Sequence, residues 1–177
     1  MKIVNKKLIS VKDSDLIDGV FSNTDITEIG NGCFRNMGKL IKVYCPNVTK
    51  MGDWNFYNNH ALTTIGDFPL LAEQGDWNFS ANPALTTIGD FPLLAKQWSC
   101  NFYYNPALTT IGDFPLLAKQ GNYNFSHNPA LTKLSIGGES LNVKSVDGSC
   151  FVIESTTTKL GINISTQDII YYQSRTA

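Results

Sequence analysis

From Ala84 to Pro106 the chain reads ALTTIGDFPLLAKQWSCNFYYNP, and the stretches on either side are near-copies of it: ALTTIGDFPLLAEQGDWNFSANP from Ala61 and ALTTIGDFPLLAKQGNYNFSHNP from Ala107. The period is 23 residues, repeated without a gap. A fixed period of this length marks a stacked, quasi-one-dimensional solenoid, in which no unit buries its own apolar face and each needs a neighbour on either side. Architecture therefore follows from the period, and function is to be sought on the outer surface.

Within the unit, LTTI is rich in β-branched residues and is ended by Gly89, Asp90 and Pro92, so it reads as a short strand. Stacking the units sets these strands side by side in a parallel sheet, about 4.8 Å apart. The second half, LLAKQ to NFYYN, is expected to return the chain across the back with Phe102 pointing inward. Roughly six coils at that rise make a rod about 30 Å long.

The frame extends past the three clear copies. ITEIGNGCF from Ile26, VTKMGDWNF from Val48 and VKSVDGSCF from Val143 have the form V/I-x-x-I-G-x-x-A-F with substitutions, and in the family this form is followed by x-x-C-x-x-L. Phe34 leads to Met37 and Leu40, Phe56 to Asn59 and Leu62, Phe79 to Asn82 and Leu85, Phe102 to Asn105 and Leu108, and Phe125 to Asn128 and Leu131. This pattern resembles the BspA-type leucine-rich repeat over about residues 26–154. The resemblance implies a mainly β, right-handed leucine-rich-repeat solenoid with a parallel sheet on one face, used for binding and not for catalysis. Residues 1–25 and 155–177 lie outside the period and are expected to cap the two ends, the latter through the β-like runs TTTKLGINIS and DIIYYQS.

The central copies depart from the family where it usually has apolar or small residues. They carry Gln74, Gln97 and Gln120 in one column, Asn78, Asn101 and Asn124 in a second, and Asn59, Asn82, Asn105 and Asn128 in a third. A buried amide costs several kcal/mol unless it is hydrogen-bonded. These columns are read as structural ladders, each amide meeting its equivalent above and below or satisfying free backbone groups at the turn.

With 177 residues, 42% of them hydrophobic, and a net charge of −1, the chain is expected to form one domain with a real core. Its near-neutral charge argues against a nucleic-acid or anionic-membrane partner. No apolar run approaches the length of a membrane span, and the start is too interrupted for a signal peptide, so a cytoplasmic location is expected. Cys33, Cys45, Cys100 and Cys150 show no metal-ligand spacing and are expected to be buried and reduced; neither a metal nor a cofactor is implied. Asp67, Asp90 and Asp113 form a column explained by a side-chain bond within the turn. His60 and His127 have no nucleophile and acid at fixed spacing. Four glycosylation-type triplets, at Asn47, Asn78, Asn124 and Asn163, are read as coincidental.

The copies also differ informatively. Residues 61–72, 84–95 and 107–118 are identical, and all variation falls in the following segment, on positions expected to point outward. That segment and its upstream equivalent hold Trp54, Tyr57, Trp77, Trp98, Tyr103, Tyr104, Tyr123 and His127, mostly residue types that dominate interface energetics. These form the candidate contact surface, with Trp98, Tyr103 and Tyr104 together as its centre. The expected function is a non-catalytic protein-interaction module. Fresh duplication and small size suit an inhibitor of a host protein encoded by a phage or prophage. The alternative is an adhesion module that binds a host protein or glycan.

Overall fold

The computed structural model describes residues 1–121, 123–136, 139–146 and 150–154. Each coil lays down two short strands rather than one. A seven-stranded sheet runs through β1 (Lys2–Val4), β2 (Lys7–Ser10), β4 (Glu28–Ile29), β6 (Lys50–Met51), β8 (Glu73–Gln74), β10 (Lys96–Gln97) and β12 (Lys119–Gln120). A five-stranded sheet runs through β3 (Val20–Ser22), β5 (Lys42–Tyr44), β7 (Thr64–Ile65), β9 (Thr87–Ile88) and β11 (Thr110–Ile111). From β2 and β3 onward both sheets are parallel, pairing each residue with its equivalent in the next coil, as in Thr87↔Thr110 and Lys96↔Lys119. The segment expected to cross the back of a single sheet thus contains a second one. In the central coils its strands, β8, β10 and β12, are polar and lack β-branched residues, and are extended because equivalent neighbours pair with them.

Inward positions recur about every third residue. In the central coil Leu85, Ile88, Phe91, Leu94, Gln97, Asn101, Phe102 and Asn105 are all buried. Two phenylalanine columns fill the middle. Phe34, Phe56, Phe79, Phe102 and Phe125 stack face to face at 4.7, 5.1, 5.2 and 5.1 Å. Phe68, Phe91 and Phe114 form the second column at 5.8 and 5.1 Å and meet the first mostly edge-on, with Phe91 5.7 Å from Phe102. Ring separations of 4.5–7 Å are the favourable range for such pairs, and the coil rise matches them without adjustment.

Gln74 and Gln97 lie in the core where the coils before them carry Ile29 and Met51. Gln74 Nε2 donates to Gln97 Oε1 at 3.0 Å. Gln74 Oε1 accepts nothing, because Met51 in the preceding coil has no donor to offer.

At the start of the chain, Asn5 and Lys6 both take positive φ, 49° and 62°, and turn β1 back antiparallel onto β2. This is the geometry of a two-residue hairpin turn. Because β2 and β3 already belong to the parallel ladders, the stack begins inside the segment expected to be a cap. At the other end β13 (Lys133–Ile136), β14 (Glu139–Val146) and β15 (Cys150–Glu154) form an antiparallel three-stranded sheet. The frame from Val143, expected to be one more coil, is therefore part of a hairpin. ESLNVKSV alternates as an extended strand does. The two β-like runs after residue 154 lie outside the described residues.

Candidate interaction surface

The variable half of each coil is a curled arc with an unusual backbone. Three residues per coil, none of them glycine, sit in the left-handed region: Trp77, Phe79 and Ala81 at 58°, Cys100, Phe102 and Tyr104 at 58–59°, and Tyr123, Phe125 and His127 at 60–65°. Each costs on the order of 1–3 kcal/mol for a residue with a Cβ, so the surroundings must hold it. Part of that support is backbone: Trp77 N–H donates forward to Ser99 O, and Phe79 N–H donates back to Asn55 O, both at 3.0 Å.

The rest comes from the buried amides. Asn82 Oδ1 accepts the Asn59 N–H at 2.9 Å and its Nδ2 donates to Phe56 O at 2.7 Å. Asn105 repeats this with Asn82 N–H and Phe79 O, at 3.0 and 2.9 Å. In the other column Asn101 Oδ1 accepts the Asn78 N–H at 2.8 Å and its Nδ2 donates to Gly75 O at 2.9 Å. The asparagines of these two columns thus clamp the neighbouring coil's backbone, whereas Gln74 and Gln97 bond amide to amide. Asn55, absent from the sequence expectation, belongs to the second column and accepts the Cys33 N–H at 2.9 Å.

Six of the eight candidate contact residues form one stripe through ring contacts. Trp54 and Trp77 stack at 5.0 Å with planes 4° apart, and Arg35 lies over Trp54 at 4.8 Å and over Tyr57 at 5.5 Å. Tyr57 and Tyr103 meet Trp77 edge-on at 6.1 and 5.8 Å. Tyr103 then contacts His127 at 4.7 Å and Tyr104 at 6.2 Å. Tyr123 belongs to the same column as Trp54 and Trp77 and is 43% exposed, while Tyr104 is 53% exposed. The others are half-buried. Burial pushes the Tyr103 hydroxyl pKa up and the His127 imidazole pKa down. Sequence reading passed over Arg35, whose planar cation covers one end of the stripe.

Two expectations need correction. Trp98 does not join Tyr103 and Tyr104. Its ring packs under Lys96 Nζ at 4.3 Å, and Lys96 also pairs with Glu73 at 3.2 Å, holding that carboxyl below its usual range. Nor do all variable positions face outward. Ser80 and Ser126 are fully buried and Cys100 nearly so. The column Tyr57, Ser80, Tyr103, Ser126 alternates large and small residues, so the tyrosines close over the serine coils, and the Tyr103 N–H donates to Ser80 Oγ at 3.1 Å.

The remaining sequence features have structural roles. Each corner aspartate accepts from the next coil rather than its own turn: Asp67 Oδ1 from Asp90 N–H and Asp90 Oδ1 from Asp113 N–H, both at 3.0 Å. Burial pushes the Cys45 thiol up to about 12 and also raises Cys33, so neither is a ready nucleophile. Cys150 lies in β15. Asn47 Nδ2 donates to Thr24 O at 2.7 Å, and Asn163 lies outside the described residues. Among the described residues no group of three His, Cys, Asp or Glu could hold a metal, and no helix is long and apolar enough to cross a membrane.

The repeated coils and their inward phenylalanine column fall within the span of one family model. It is described as the BspA type leucine rich repeat region and matches residues 12–151 in six copies. The chain belongs to the BspA-type leucine-rich repeat family. Neither a curated protein nor a solved structure matches it. Leucine-rich repeats generally mediate protein–protein binding, and their solenoid is typically a non-enzymatic scaffold.

Proposed function

We propose that the chain is a non-catalytic protein-interaction module whose contact surface is the aromatic stripe, centred on Tyr104 and Tyr123. One observation carries this reading. Large aromatic residues occupy left-handed backbone positions, Tyr104 at 58° and Tyr123 at 60°, where asparagine or glycine would cost less. Asn58 stands in the Tyr104 column and shows that the backbone accepts it. Exposed tyrosines kept against local preference, on a layer of packed rings, are what an interface anchor requires.

The alternative of glycan adhesion is less well supported. Sugar binding needs a free aromatic face, whereas Trp54 is covered by Arg35 on one side and Trp77 on the other, and Trp98 is covered by Lys96. Among protein partners, the near-identical units and small size suit an antagonist, such as a phage- or prophage-encoded inhibitor of a host protein. The test compares immobilised wild type with Tyr104→Ala/Tyr123→Ala in host lysate and on a glycan array. A protein retained near stoichiometrically should be lost by about 30-fold or more in the double variant, the scale of a 2 kcal/mol hot spot. Thr87→Lys/Thr110→Lys, on the five-stranded sheet, should retain it. Loss on the threonine variant alone would move the contact to the sheet, and glycan binding alone would favour adhesion.

A further inference from the structure

The identical half of the coil carries an apolar ridge that the scaffold does not use. Leu70, Leu93 and Leu116 are 41%, 43% and 55% exposed, one above another, with exposed Ala72, Ala95 and Ala118 beside them. Next to the ridge on its other side run the exposed carboxylates Asp67, Asp90 and Asp113. An exposed apolar patch with a charged rim marks an interaction site. Inward packing at this corner is done by Phe91 and Leu94 and their equivalents, so the exposed leucines add nothing to the core.

We infer that this ridge receives an amphipathic helix of another protein, with lysines or arginines along the helix column facing the aspartates. Spacing is the first argument. The in-register parallel strands that carry the ridge set the coil steps at about 4.8 Å. A helix along the solenoid axis presents residues i, i+4 and i+7 at steps of about 6.0 and 4.5 Å. An extended strand repeats at about 6.7 Å and falls out of step within two coils. Charge is the second argument, since three stacked carboxylates call for a basic flank. A second copy of this chain is the poorer occupant. It would bring either its own aspartate column or a column of mixed sign, Glu73 with Lys96 and Lys119, against the acidic rim. The ridge also offers only a few hundred Å², against the roughly 800 Å² per partner of a stable dimer.

The test uses a labelled synthetic helix of about 18 residues with leucines at i, i+4, i+7 and i+11 and lysines on one flank, read by fluorescence anisotropy at low salt. Its controls are a flank-reversed glutamate version and a scrambled sequence. The lysine helix should bind at least 10-fold more tightly than either control. Leu70→Gln/Leu93→Gln/Leu116→Gln should lose at least 10-fold with an unchanged melting temperature. Asp67→Asn/Asp90→Asn/Asp113→Asn should abolish the lysine-over-glutamate preference while keeping the Oδ1 acceptor, as Asn31 does for the Asp53 N–H at 3.1 Å. Tyr104→Ala, in the other half of the coil, should bind the helix normally. Equal binding of the three peptides, or wild-type affinity in the leucine variant, overturns the proposal. So does a dimer in sedimentation that the leucine variant disperses, because the ridge would then belong to a second copy.

Discussion

Between Gly89 and Leu94 the chain turns a corner with no positive φ, using Pro92 and the Asp90 carboxylate; between Ser99 and Asn105 it turns with three left-handed residues held by asparagine clamps. In the first corner the residues that shape the turn are the turn residues themselves, and they are identical in all three copies. In the second the shaping is done by buried amides at fixed positions, and the left-handed residues between them range from Trp and Cys to Tyr and His. Conformation controlled from inside leaves the outside free to change. That is how a solenoid keeps its backbone while its surface is diversified.

If both corners close over one core, their phenylalanines should weigh alike. Phe91→Ala and Phe102→Ala should each cost about 3–5 kcal/mol in chemical denaturation. A loss under about 1 kcal/mol for either would detach that corner from the core. The clamps should separate the two corners next. Asn105→Ala strands the Asn82 N–H and the Phe79 carbonyl and should cost about 2–4 kcal/mol. Asp90→Ala removes one exposed bond, to the Asp113 N–H, and should cost about 0.5–1.5 kcal/mol. Equal costs would remove the distinction drawn above.

A smaller effect, of opposite sign, belongs to Tyr104. Tyr104→Asn should raise stability by up to about 1 kcal/mol, since asparagine takes the left-handed region more readily. A drop of that size instead would mean that the Tyr103 and His127 contacts outweigh the backbone preference. The smallest effect concerns pH. Burial lowers the His127 pKa, so the unfolded chain binds a proton at a pH where the folded protein does not. Its stabilising contribution is complete above the ordinary histidine value of 6.5 and is lost as pH falls toward and through the folded pKa. His127→Gln should flatten the melting temperature against pH in that window.

Much of this was legible in the chain itself. The period gave the stack, and the columns of Phe102 and of Asn105 marked the inward frame because they recur unchanged inside the segment that otherwise varies. The second sheet was not legible, since Glu73–Gln74 and Lys96–Gln97 have no strand-forming character of their own and are extended only by pairing across coils. Ser80 and Ser126 were misplaced outward for a related reason. Their burial comes from tyrosines of neighbouring units, which no single unit contains. Trp98 was grouped with Tyr104 from closeness along the chain, but around a curled arc that is a poor guide to contact. The exposed leucines were hidden by their type: in an apolar unit of 23 residues, nothing in the letters separates Leu93 from Leu94.

The glutamine column, finally, has an arrow. Gln74 passes a hydrogen bond forward to Gln97, and its own Oε1 is an unfilled acceptor where the column begins. Inserting another whole unit between Gln74 and Gln97 would lengthen the series without making a second vacancy. The boundary penalty is thus paid once per molecule whatever the number of coils, while every added coil brings its full set of internal bonds. A gene that gains or loses units by slippage between the identical stretches would keep producing foldable proteins of graded length. Copy number thereby becomes a dial for the extent of the outer surface, independent of the stability of its ends.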